Sequence, residues 1–225
     1  MVLLAGHAES SDAEAALASL CQTYWYPLYV FVRRQGQNSH DAEDLVQGFF
    51  ARVLEKNYVG AADPQKGRFR SFLLLALKRF MANEWDKANR QKRSGGVKIV
   101  PLDEEKTEIR YRAEAADAMS PEKAFERRWA LTLLQQVWER LEAEYSGAGR
   151  ASLFDELKGF LGGDERISSY AESAQRLRTT EGTVKVTVDC LRQRYRELLR
   201  LEIANTVDSP EAIDDEIRDL FAALS

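Results

Sequence analysis

Along most of this chain apolar residues fall three or four positions apart, and almost nowhere do they alternate, so the pattern predicts helices and no substantial sheet. From Asp12 a first stripe runs through Leu17, Leu20, Cys21, Tyr24, Leu28, Phe31 and Val32. Pro27 is expected to kink that helix, and Arg33, Arg34 and Gly36 to end it, with cations in the last turn and Gly just beyond. A second helix should open at Ser39, with Asp41, Glu43 and Asp44 near its positive end. Its stripe is Ala42, Leu45, Val46, Phe49, Phe50, Val53 and Leu54. Its other face, Asp44, Gln47, Gly48 and Ala51, is small or polar and suits either solvent or a partner helix.

Residues 57–67 hold Gly60, Pro64 and Gly67 and read as a loop. A third helix then carries Phe69, Phe72, Leu73, Ala76 and Phe80 inward before Ser94-Gly95-Gly96 breaks it. Residues 97–119 show a short extended piece, VKIVPLD, and no helical stripe, which reads as a linker. Ser120-Pro121-Glu122 starts the next helix, with Phe125, Trp129, Leu133, Val137, Leu141 and Tyr145 as its core face. A shorter one follows with Leu153, Phe154, Leu157, Phe160 and Leu161. Ser169 and Glu172 form a capping box for a helix over 170–178, and Thr180 caps another over 181–201. Two helices joined by so short a turn have the helix-turn-helix layout. Ser209-Pro210-Glu211 repeats the start signal for a closing helix with Ile213, Ile217, Leu220, Phe221 and Leu224 inward and acids outward.

The expected architecture is all-α: one helical domain over 12–93, a linker over 94–119, a helix-turn-helix domain over 120–205 and an acidic helix within 206–225. Length and a 44% hydrophobic, 30% charged composition fit a soluble globular protein with a real core. No apolar run has the roughly 20 residues of a membrane span, and the N-terminus lacks the basic flank of a signal peptide. A cytoplasmic location is expected. Cys21 and Cys190 lie far apart in helical patterns, and with only His7 and His40 no cluster has metal-ligand spacing. Neither a metal nor a cofactor is expected.

Charge sharpens this picture, because the formal net of −4 hides a strong segregation. Lys66–Arg93 holds nine Lys or Arg against Glu84 and Asp86, a net of +7. Residues 176–200 hold seven bases and three acids, whereas 202–225 hold seven acids and only Arg218. A solvated face usually mixes both signs, so the first excess points to nucleic acid. Trp85 among those cations suits unstacked bases beside a phosphate backbone. On the second reader, Lys185 and Arg192 sit on the helix whose N-terminal residues would meet base edges.

Two segments together resemble the bacterial RNA polymerase sigma factors of the extracytoplasmic-function type. DAEDLVQGFFARVLEKN followed by KGRFRSFLLLALKRFMANEWDKANRQKR is similar to their second region, and YAESAQRLRTTEGTVKVTVDCLRQRYRELLR to their fourth. The resemblance implies that Asp44, Leu45, Gln47 and Phe50 dock on core polymerase. It implies that Arg68, Arg70, Lys78, Arg79, Asn83, Trp85, Lys87 and Arg90 face the promoter −10 element, with a break near Lys78–Met81 for a base-capturing loop. Read from the residues alone, that stretch has no Gly or Pro, and the helix should run straight through. For the −35 element the implied residues are Arg176, Thr180, Thr183, Lys185, Val186, Asp189 and Arg192. Core RNA polymerase and promoter DNA are the implied partners. The resemblance leaves room for an anti-sigma protein, and calls for no membrane and no small-molecule substrate.

Three features depart from the family pattern. Arg178 stands where the turn usually has Gly, which suggests strain or a different turn. Val186, Asp189 and Cys190 replace polar or basic groups on the recognition helix. The acidic closing helix extends past the usual end and is either a packing cap or a screen over a basic DNA surface. A rival reading is a helix-turn-helix regulator with an N-terminal dimerisation or sensing domain, which leaves the +7 stretch unexplained. An enzyme is disfavoured. Neither Glu84 with Asp86 nor Asp41 with Asp44 sits with a His, Cys or phosphate loop, and residues two apart on a helix do not face each other.

Overall fold

The computed structural model describes residues 11–55, 68–88, 104–114, 119–162, 169–207 and 209–225. Among these residues every regular element is helical. They are α1 (Ser11–Arg34), α2 (Ser39–Glu55), α3 (Phe69–Ala88), α4 (Glu104–Glu114), α5 (Pro121–Gly147), α6 (Ala151–Leu157) with a 3₁₀ turn over Lys158–Leu161, α7 (Tyr170–Arg176), α8 (Glu181–Ala204) and α9 (Ala212–Ala222). The loop expected over 57–67 and the extended piece VKIVPLD lie outside the described residues. Two compact units result, one reaching to Thr132 and including Ile203–Ser225, the other spanning Leu133–Glu202.

In the first unit α1 supplies a wall of aromatic and β-branched side chains. Tyr24, Leu28, Tyr29, Phe31 and Val32 are all essentially inaccessible. Each large apolar side chain so enclosed contributes about 1.5–3 kcal/mol. Tyr24 meets Phe69 of α3 edge-on at 5.6 Å, and Phe49 of α2 meets Phe80 of α3 at 5.8 Å. Helix α1 continues through Pro27. Gly36, with φ +93°, then takes the left-handed conformation that ends it. The cap of α2 is Asn38, one residue before the expected Ser39: its Oδ1 accepts from the Asp41 amide at 2.9 Å.

Helix α4 falls inside the stretch expected to be a linker. It has no apolar stripe; it exposes Ile109 and turns Glu108 toward α1. Arg33 Nη2 approaches Glu108 Oε1 at 2.7 Å, and the Tyr29 hydroxyl donates to Oε2 at 2.7 Å. Arg110 lies over the Tyr26 ring and Arg33 over Tyr111, at 4.1 and 4.7 Å. Charge and cation–π contacts thus hold a helix that hydrophobic periodicity could not reveal.

The second unit is built around Phe154, which packs against Trp138 and Tyr145 at 5.7 Å each. Phe160 stacks flat on Tyr170 at 4.7 Å. Arg194 of α8 forks onto Glu144 of α5 with two 2.8 Å hydrogen bonds. Three of the expected caps are present, whereas the start signal at Ser209-Pro210-Glu211 is displaced: α9 begins at Ala212, with Glu211 as its N-cap and no side-chain cap bond. Ser120 Oγ accepts from Lys123 N, Ser169 and Glu172 form the full capping box, and Thr180 Oγ1 accepts from Thr183 N.

The α7–α8 turn is a Schellman motif, with Thr179 N donating to Ala174 O at 2.9 Å and Arg178 N to Gln175 O at 3.2 Å. Arg178 therefore occupies the left-handed position, φ +52°. The same bond pattern ends α5, where Arg150 N reaches Tyr145 O and Gly149 N reaches Ser146 O, with the usual Gly at φ +70°. The expected Gly-for-Arg tension is real: the turn keeps the glycine shape and an arginine is forced into it.

Candidate nucleic-acid interface

Helix α3 runs unbroken from Phe69 to Ala88. The loop that the resemblance implies near Lys78–Met81 is absent, and the straight helix expected from the missing Gly and Pro is what forms. Its buried stripe is rotated from the expected one: Phe69, Arg70, Leu73, Leu74 and Leu77 are enclosed. Phe72, Ala76 and Phe80 instead line a cleft with Phe49, Arg52 and Val53 of α2, completed by Leu75, Arg79 and Asn83. Gly48 faces the Phe80 ring, where a Cβ would stand in ordinary van der Waals contact with Phe80 Cζ at 3.4 Å. The cleft has a volume of about 190 Å³. A dry cavity of ~150 Å³ already admits one benzene-sized ring.

The cations expected on the DNA side of α3 divide into two sets. Arg79 is exposed, and among the described residues no ion pair or hydrogen bond engages it or Asn83. Trp85 is 60% exposed one turn further on. Helix α3 includes Lys87, whose side chain lies outside the described residues, as does Arg90 altogether.

The other set is already occupied. Arg70, expected to face DNA, is only 2% exposed. Its Nε lies 2.6 Å from Glu126 Oε2, its Nη1 is in contact with Glu216 Oε1, and its guanidinium stacks on Trp129 at 4.3 Å. Arg68 pairs with Glu216, at 3.4 Å, and with Asp219. Lys78 meets Glu122 at 2.7 Å, and its hydrogen bond holds the Glu122 carboxyl below its ordinary value. Arg70, enclosed in this way, has no donor left for a phosphate, whereas Arg68 and Lys78 keep part of their surface in solvent. Sequence reasoning missed Glu126, Glu216 and Asp219, because nothing local marks an acid as the partner of a cation 146 residues away.

On α2 the residues expected to dock on polymerase are split by depth. Asp44 is exposed, with His40 Nε2 3.6 Å from its carboxylate. Leu45 and Gln47 are half-buried, and Phe50 is 2% exposed and part of the core. Only the first three can offer a surface as the chain stands.

The helix-turn-helix presents Thr180, Thr183, Lys185, Val186 and Asp189 on one exposed face, with Val186 64% exposed. Its cations are matched by near neighbours. Lys185 bonds Glu181 at 2.8 Å, which raises its pKa, and Arg192 lies 3.8 Å from Asp189 while donating to Phe160 O at 2.9 Å. Arg176 reaches Glu156 at 2.8 Å, and its hydrogen bond, followed by that of Ser173, lowers the Glu156 pKa. Among the described residues no group of His, Cys, Asp and Glu could hold a metal ion, and no helix is long and apolar enough to cross a membrane.

No curated protein and no solved structure matches the chain significantly. One family does. Residues 22–91, from within α1 through α2 and α3, match the family described as Sigma-70 region 2. The helices that carry the cleft, Arg79 and Asp44 are thus similar to a sigma-70 region 2.

Proposed function

We propose that this chain is a sigma factor of the extracytoplasmic-function type, acting in the cytoplasm, that docks on core RNA polymerase through α2, reads the −10 element with α3 and reads the −35 element with α8. The observation that carries the reading is the open side of α3. There the Arg79 guanidinium, with no ion pair or hydrogen bond among the described residues, stands beside Asn83 over an apolar cleft wide enough for a ring, on helices that match a sigma-70 region 2. Phosphate contacts would position the protein, and the few contacts to unstacked bases would supply sequence information. No substrate chemistry is needed. Strand opening is favoured to the extent that exposed bases bind better than stacked ones.

In the docking step Asp44 and Gln47 give the polar strip, and Leu45 its apolar edge. Phe50 holds the helix in place from behind and does not touch the partner. The test is capture by core polymerase followed by transcription from a promoter library. The purified chain should bind the core enzyme and select a two-element promoter. The double variant Asp44→Ala, Gln47→Ala should keep its helical content and bind the enzyme more weakly. A chain that binds duplex DNA yet ignores core polymerase would be a helix-turn-helix regulator instead.

A further inference from the structure

We infer that α9 is an intramolecular counter-anion, a strap that occupies the phosphate-binding cations at the start of α3 in the free protein and must leave before nucleic acid can use them. The inference rests on the proposal that α3 binds promoter DNA, and it adds a regulatory step to that reading. Four observations carry it. The strap sits on the cation-richest segment of the chain and comes from its most acidic one. Of its carboxylates, the two that are withdrawn from solvent are those facing arginine: Glu216, 3% exposed, between Arg68 and Arg70, and Asp219 against both. Its apolar anchorage is incomplete: Leu220 is enclosed and Ile213, Ile217 and Leu224 are half-buried, while Phe221, expected to point inward, is 53% exposed. Finally, Arg68 is itself 46% exposed, so a phosphate can approach the very guanidinium that the strap neutralises.

A helix serving only to cover apolar surface would place an aliphatic side chain at position 216. Enclosing a carboxylate there costs desolvation that only its cation partners offset, and such pairs are often no more stabilising than a hydrophobic replacement. What an ionic hold provides is exchangeability. A polyanion offers Arg68 the same ligand type, carboxylate oxygens giving way to phosphate oxygens, and the two occupants cannot share one guanidinium fork. Arg70 plays a different part. It is stacked on Trp129 and bound also to Glu126, so it stays with α5 and serves as the catch that holds the strap in register. Strap and DNA therefore compete for Arg68, and release requires Glu216 to leave Arg70 as well.

The experiment compares the full chain with Asp219→Asn, with Glu216→Gln and with a chain ending at 205. It measures binding of the free protein to a labelled duplex and to its single strand over a salt series, and capture by core polymerase in parallel. Freed cations should raise affinity several-fold and steepen the slope of log K against log salt by about 1. Adding Arg68→Ala should cancel that gain. Asp219→Asn is the mildest change and keeps Glu216 and Leu220, so it remains informative if the truncated chain fails to fold. Unaltered affinity and slope in Asp219→Asn and Glu216→Gln, with polymerase capture intact, would overturn the strap and leave the sigma-factor reading standing. Loss of polymerase capture by the unaltered chain would remove that reading instead, and a gain in DNA affinity would then still establish the strap.

Discussion

Two basic stretches of this chain, α3 with its N-terminal flank and α8, hold their cations in opposite ways. On α3 and the residue before it the cations are sorted by side: Arg68, Arg70 and Lys78 are tied to acids remote in sequence, and Arg79 is left open over a cleft. On the N-terminal half of α8 each cation is matched one turn away, Lys185 by Glu181 and Arg192 by Asp189. Local, exposed pairs of the second kind are worth little and exchange readily for phosphate. Remote pairs such as the enclosed Arg70–Glu216 fix architecture, and the guanidinium they spare is the one with a defined setting beside a ring-sized space. Net charge alone treats the two helices as equivalents. Their partners imply that α3 should discriminate between sequences more sharply than α8.

The largest effect expected from breaking this contrast is at Arg70. Arg70→Ala leaves Glu216 and Glu126 without their shared cation, and loss of one partner of a buried pair costs roughly 3–5 kcal/mol. Urea unfolding of the full chain measures it; a loss below 1 kcal/mol would mean that solvent reaches the cluster freely. Next is the contrast itself. Arg79→Ala should relax preference at one −10 position by about 1–3 kcal/mol, whereas Lys185→Ala should weaken all promoters alike and by less. Competition binding with a set of single-base variants in the presence of core polymerase separates the two. Equal, uniform losses from both would erase the distinction drawn here. The smallest effect concerns the turn that presents α8. Arg178→Gly relieves a left-handed arginine whose side chain is exposed, and should stabilise the protein by up to about 1 kcal/mol in thermal unfolding. A fall in stability would show that the Arg178 side chain anchors the turn.

How far the sequence foretold this arrangement depends on the range of the forces involved. Caps at Ser120, Ser169 and Thr180 were legible because a hydroxyl and an amide three residues apart settle them. The turn at Arg178 was legible as a tension, since the Schellman bonds need a left-handed residue whatever its identity. The stripe of α3 was legible in period but not in phase. Leu74, Leu77 and even Arg70 point inward because acids and Trp129 from distant segments make that side tolerable for a cation. Helix α4 and the inward turn of Glu216 were invisible for the same reason: each is held by a charge whose partner no local pattern names. For the proposed interface the resemblance names Arg79 and Asn83 as candidates, whereas the depth of Phe50 and the occupation of Arg68 required the packed neighbours.

Helix α4 has a further consequence, for motion. Its hold on α1 removes little oily surface from water, so detaching it should alter hydration only slightly. Amides of Thr107–Arg112 should then exchange with deuterium through small, local openings whose rates barely respond to denaturant. They should respond to acid. Burial pushes the Glu108 carboxyl up, but hydrogen bonds from Arg33, Tyr29 and Arg112 outweigh it and leave it below its ordinary 4.5. The anchorage is therefore complete at neutral pH and fades as pH falls below 4.5 toward the folded value, loosening this one helix before the oily interior gives way.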